Sequence, residues 1–189
     1  MKTKLLFLDA EMGGIGLEFS LLTAYFATYD ENYNLLGELD LRLRPDDGIY
    51  HVDGRALAEV NKIDIRSLYS ESITYKEGAT KLYNYLMSMY GSEPTTMLTP
   101  VGSGIKGDIT HITDKLVSVG SWDKFVSYRV IDICSVARFF QLMGKLPEDL
   151  ALGLDSLKDH FGIKVDGNLH EAKTDTLIGV EVYKELRKL

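Results

Sequence analysis

The apolar run Leu5-Leu6-Phe7-Leu8 ends abruptly in Asp9-Ala10-Glu11. A run of this length bounded by acids reads as a buried strand, Lys4–Asp9. Residues two apart on a strand share a face, so Asp9 and Glu11 project together. Two carboxylates one pleat apart repel each other at the end of such a strand. A cation between them relieves the repulsion, and hard oxygen ligands suit Mg²⁺ or Mn²⁺. A strand that simply runs out into solvent at Asp9 explains the same residues, so the motif needs support from elsewhere in the chain. The Met12-Gly13-Gly14 that follows allows close backbone approach by a ligand, or forms a turn.

That support comes from two further segments. In a helix over Lys106–Val119 stopped by Gly120, Asp108 falls on one side with Ile105, Ile109, Ile112 and Leu116. A carboxylate on an apolar face needs a partner, a proton or a metal. It is also favoured at a helix N-terminus by the macrodipole, and that reading carries equal weight. In the last helix, from about Glu171 to Leu189, Asp175 shares a side with Ala172, Gly179, Val182 and Leu186. His170 lies in the approach to that helix, free to reach over a water. The other histidines, His51, His111 and His160, read as structural or exposed, and Asp114 and Asp123 as surface acids.

The remaining pattern places these segments. Ser20–Tyr29 and Leu35–Leu43 read as strands joined by the polar turn Asp30-Glu31-Asn32-Tyr33-Asn34. Leu39, Leu41 and Leu43 alternate with Asp40, Arg42 and Arg44, the period of a sheet with one wetter face. Pro45-Asp46-Asp47-Gly48 closes that strand as a turn. Residues 49–75 show no regular pattern. Lys76–Tyr90 reads as a helix with Ala79, Leu82, Tyr83, Leu86 and Tyr90 on one side and Gly91 as its stop. Thr95–Val101 and Tyr128–Ile133 read as strands. Ser135–Met143 and Asp155–Phe161 read as helices, the second ended by Gly162. Antiparallel and βαβ connections in this order predict an α/β protein of the RNase H-like fold, a five-stranded mixed sheet flanked by α-helices, with residues 1–189 as a single domain.

Bulk properties narrow the function classes. The 189 residues carry a net charge of −7. Proteins that coat nucleic acid are usually basic, so this balance argues against a coating or architectural role. It is compatible with an enzyme that grips only a strand end, where cations supply positive charge locally. The single cysteine, Cys134, rules out an internal disulfide and a cysteine zinc cluster, and reads as a buried small hydrophobe in a reducing, cytoplasmic setting. The apolar runs are too short for a membrane span or a signal-peptide core.

The motif order Asp9-x-Glu11, Asp108, His170-x-Ala172-x-x-Asp175 resembles that of the DEDDh 3′→5′ exonucleases, a family that includes proofreading subunits, oligoribonucleases and RNA-trimming enzymes. The histidine spacing is the most specific element, since a sister branch uses tyrosine there. Tyr128–Ile133, Ser156–Ile163 and the stretch from Val52 through Ile63 are similar to family segments too, so the likeness spans nearly the whole chain. Many members carry an asparagine and an aromatic shortly before the motif-two aspartate, where this chain has Gly104 and Gly107.

The resemblance implies a metal-dependent exonuclease that releases nucleoside 5′-monophosphates from the 3′ end of single-stranded DNA or RNA. Asp9, Glu11, Asp108 and Asp175 are then the ligands of two divalent cations, Mg²⁺ or Mn²⁺, and His170 is the general base. The backbone of Met12 and Gly13 is placed to contact the terminal nucleotide. Oligoribonuclease-like members point to a homodimer, and proofreading-type members to a monomer within a larger assembly. An idle domain of the same fold, serving as a nucleic-acid-binding or partner-binding module, is the competing expectation. An RNase H-like endonuclease fits the histidine spacing and tail helix less well.

Overall fold

The structure, a computed structural model, describes residues 4–91, 97–167 and 170–189. Its centre is an antiparallel meander of β1 (Lys4–Met12), β2 (Leu21–Tyr29) and β3 (Leu35–Arg44). The β2–β3 turn is closed by Asp30, whose carboxylate accepts from the backbone N–H of Asn32 and Asn34. Two strands then add in parallel on the other side of β1: β5 (Leu98–Gly102) and the short β6 (Ile131–Asp132). A two-residue strand, β4 (Ile73–Thr74), pairs in parallel with the end of β3. The order is β4-β3-β2-β1-β5-β6. The sheet thus has six strands among the described residues, where five were expected. The extra strand is only two residues long and lies in the stretch 49–75, which carries no readable period.

Alternation along β1 sorts the core into two layers. Leu6, Leu8 and Ala10 face α2 (Tyr75–Tyr90), α3 (Ile105–Lys115) and the short α4 (Val119–Trp122). Leu5 and Phe7, with Tyr25 and Ala27 of β2, face α5 (Ile133–Leu142), α6 (Leu154–His160) and α7 (Ala172–Leu186). Complete burial of a side chain such as Phe7 is worth about 1.5–3 kcal/mol. Both layers are therefore anchored on the strand that ends in Asp9 and Glu11.

Several boundaries differ from expectation for local reasons. The stretch 49–75 contains a π-helical segment, Ala56–Asn61, and α1 (Ile65–Glu71), capped by Asp64. Helix α2 starts at a capping box in which Thr74 and Glu77 satisfy each other's backbone N–H. Its buried face is Gly78, Leu82, Tyr85 and Leu86. Tyr83 is instead 37% exposed and packs edge-on against Phe125. Helix α3 ends at Lys115, not at Gly120, which lies inside α4; the Leu116 N–H closes back on Ile112 and the chain turns there. The expected strand Tyr128–Ile133 shrinks to Ile131–Asp132, because Asp132 turns the chain directly into α5 by capping it through Ser135. The expected strand start at Thr95 lies outside the described residues, and β5 begins at Leu98. Gly91 and Gly162 end their helices as expected, with φ of 75° and 65°. No helix of the described residues is long and apolar enough to cross a membrane.

Candidate active site

Strands β1, β5 and β6 run in the same direction, so their C-terminal ends lie along one edge of the sheet. Open α/β sheets place ligands at that edge. Here β1 ends in Asp9 and Glu11, and β5 leads into α3 with Asp108 in its first turn. Helix α7 packs across β1 and β2 with Asp175 in its first turn. The acids therefore arrive from both layers of the molecule.

Asp9, Glu11 and Asp175 each bring a carboxylate oxygen to within 4.8 Å of the others. Asp108 stands outside that trio but close enough to act on Asp9. The Asp9 carboxyl is raised well above its usual range by burial, then by the charges of Asp108, Glu11 and Asp175 in that order. Burial pushes Asp108 up to about 7. Burial also raises Asp175, against the opposing effect of His170. Acids that are withdrawn from water and crowded together hold protons until a cation replaces them. The set is all oxygen, which suits a hard divalent cation.

His170 enters the site with φ of 63°, its backbone N–H directed at Asp175 Oδ1. Its side chain is 44% exposed, and Nδ1 lies 4.0 Å from Asp175 Oδ2. The ring lines a cavity of about 340 Å³ together with Glu11, Arg42, Lys62 and Lys173. These three cations were not singled out in the sequence. The signal for Arg42 is the register: Glu11 sits opposite Thr23, and Thr23 opposite Arg42, in one row across the sheet. Arg42 is paired with Glu71 of α1, and the Lys173 ammonium lies over the Tyr25 ring.

Met12 and Gly13 follow a register shift in β1 just after Glu11. Gly13 is pinned by hydrogen bonds to Ser20 and Asp53, and a Cβ there would meet the His51 carbonyl at 2.7 Å. Gly104 caps α3 in the left-handed region at φ 66°, and a side chain at Gly107 would meet nothing. Asp114 and Asp123 are exposed, as expected. Of the other histidines, His51 and His160 are exposed while His111 is buried. Cys134 is half-buried rather than buried, with Sγ 3.1 Å from Ser103 Oγ.

No family model matches this chain, and no curated protein matches it in sequence. Solved structures do match in fold. Escherichia coli Exonuclease I in complex with a dT13 oligonucleotide superposes with a TM-score of 0.77 at 17% identity, over 98% of this chain and 41% of that one. A moderately thermophilic Exonuclease I from Methylocaldum szegediense gives 0.77 at 17%, over 98% and 40%. A product-bound exonuclease I gives 0.74 at 16%, over 100% and 44%. The chain thus spans about two fifths of the length of the structures it matches. At this identity the likeness establishes the fold, which is the RNase H-like mixed sheet of exonuclease I.

Proposed function

We propose that this chain is a metal-dependent 3′→5′ exonuclease acting on single-stranded nucleic acid and releasing nucleoside 5′-monophosphates. The observation that carries the reading is the convergence of Asp9, Glu11 and Asp175 within 4.8 Å, with Asp108 near enough to raise Asp9 further. Asp9, Glu11, Asp108 and Asp175 would hold two divalent cations, Mg²⁺ or Mn²⁺. Bound there, these cations supply positive charge to the phosphodiester and acidify water.

The protein's own residues do the rest. His170, beside Asp175 and open to the cavity, takes the proton of the attacking water. Arg42, Lys62 and Lys173 stand in the cavity wall among the acids Asp40, Asp64, Glu71 and Glu171, so positive charge for a phosphate backbone would come chiefly from the bound cations. The Met12 and Gly13 backbone faces the terminal nucleotide. The oligonucleotide in the E. coli Exonuclease I structure makes single-stranded DNA the first substrate to try.

The test is degradation of matched 5′-labelled DNA and RNA oligonucleotides with Mg²⁺ or Mn²⁺, using Asp9→Ala as control. The expected result is a metal-dependent ladder shortening from the 3′ end. Folded protein that cleaves neither substrate would overturn the reading in favour of an idle binding module, and cleavage of a circular strand would favour an endonuclease.

A further inference from the structure

Helix α3 carries more than Asp108. Asp108, His111 and Lys115 are spaced i, i+3 and i+7, which puts them on one stripe of the helix. His111 is buried at 7% exposure, with Nε2 3.0 Å from the carbonyl of Gly16 and Nδ1 3.2 Å from that of Gly107. Both ring nitrogens face carbonyl oxygens, and the shorter contact is the one across to Gly16. The Lys115 ammonium donates to the carbonyl of Leu17 at 2.5 Å. The stripe thus reaches from the carboxylate cluster to two consecutive carbonyls of the loop that leaves β1.

Within the loop, the tip is held by one backbone bond, from the Phe19 N–H to the same Gly16 carbonyl. Gly13, Gly14 and Gly16 lose more conformational freedom on folding than other residues, and Gly16 holds φ of 121°. Ile15 is 97% exposed and Leu17 41%, so neither recovers that cost by burial. The base of the loop is tied by Gly13 and Ser20; the tip is tied to α3.

We infer that His111 and Lys115 are positioning residues that clamp the Gly16–Leu17 tip onto α3, fixing the substrate-side backbone at Met12 and Gly13 relative to Asp108. This rests on the exonuclease reading for its kinetic consequence but not for the clamp itself. One rigid helix then sets both the acid and the loop, and loosening the clamp weakens the grip on substrate without removing any group that touches the reacting atoms.

The experiment uses the full chain with His111→Leu, His111→Gln and Lys115→Met. Hydrogen exchange over residues 13–19 reads the clamp, and steady-state hydrolysis of an oligonucleotide reads its effect. His111→Leu and Lys115→Met should each speed exchange in that segment about tenfold while β1 and α3 stay protected. The same two variants should raise KM about tenfold with kcat changed less than about threefold. His111→Gln keeps a donor for Gly16 and should restore both toward wild type. Unchanged exchange over residues 13–19 would overturn the clamp, and a loss confined to kcat would overturn the positioning role. If His111→Leu fails to fold, Lys115→Met decides by the same readouts. If the wild-type chain cleaves no oligonucleotide, the exonuclease reading falls and takes the kinetic role with it, while the exchange rates still decide the clamp.

Discussion

The backbone N–H of His170 points at Oδ1 of Asp175 at 3.4 Å, while its ring Nδ1 stands 4.0 Å from Oδ2 of the same carboxylate. One acid therefore holds the main chain of the residue five positions before it and stands beside that residue's imidazole. His170 adopts a left-handed φ of 63° in doing so, a conformation that costs a residue with a Cβ about 1–2 kcal/mol. Replacing His170 by alanine should lower turnover about 10²-fold or more. The half-exposed ring contributes little packing, so the melting temperature should hardly change. Initial rates in Mg²⁺ at neutral pH check this, and an unaltered rate would remove His170 from the role of base.

Exchange of a carboxylate for an amide separates chemistry from stability. Asp175→Asn should abolish hydrolysis, because a neutral amide is a poor ligand for Mg²⁺. Asp9→Asn should do the same and should also relieve the repulsion that Asp9 meets from Asp108, Glu11 and Asp175. In chelator the Asp9 variant should therefore melt above wild type, by about 2–4 °C for each kcal/mol relieved. Calorimetry with Mg²⁺ alone should show weakened binding in both variants. Wild-type hydrolysis by either would dismiss the metal assignment.

The raised acids set a pH dependence with a definite sign. The ordinary value for Asp108 is 3.8, and burial lifts it to about 7 in the folded protein. Between those values the metal-free fold keeps a proton that the unfolded chain has released. The stability linked to that proton is fully present below pH 3.8 and is lost as pH rises through about 7. One such group contributes at most about 1.4 kcal/mol per pH unit. Melting in chelator from pH 4 to 8 should show wild type losing ground to Asp108→Asn as pH rises, and Mg²⁺ should restore wild type most at the alkaline end. Parallel curves for the two proteins would contradict this linkage.

Gly102 offers a test of how the sheet seats the site. A Cβ at this position would lie 2.7 Å from the carbonyl oxygen of Leu8, the residue before Asp9. Gly102→Ala must push β5 away from the end of β1, at a cost of about 1–3 kcal/mol. Both the melting temperature and the hydrolysis rate should fall, although no side chain of the site is touched. A variant with wild-type stability would show that β1 yields freely at Leu8.

The acids and the central strands were legible because each rests on short-range pattern. Asp9 and Glu11 follow an apolar run, and Asp108 and Asp175 interrupt apolar helix faces. What was hidden depends on pairing between distant residues. The row Glu11–Thr23–Arg42 exists only once the register of three strands is known, so Arg42 looked like one more charge on a wet face. Lys62 and Lys173 join it through loop and helix placement that no period encodes. His111 was read as an ordinary histidine because its partner, the Gly16 carbonyl, belongs to a segment 95 residues away. Strand β4 escaped because two residues show no period, and helix α1 because Ser72 stands at its end where the equally short α6 has the glycine stop Gly162.

The contribution of α7 to the carboxylate trio has a consequence for the chain while it is being made. Asp9 and Glu11 leave the ribosome with β1 and Asp108 with α3, but Asp175 follows only with α7, after α5 and α6. A nascent chain without α7 has acids but no closed cluster in which to gather cations. The cluster closes only once α7 has been made and has packed across β1 and β2.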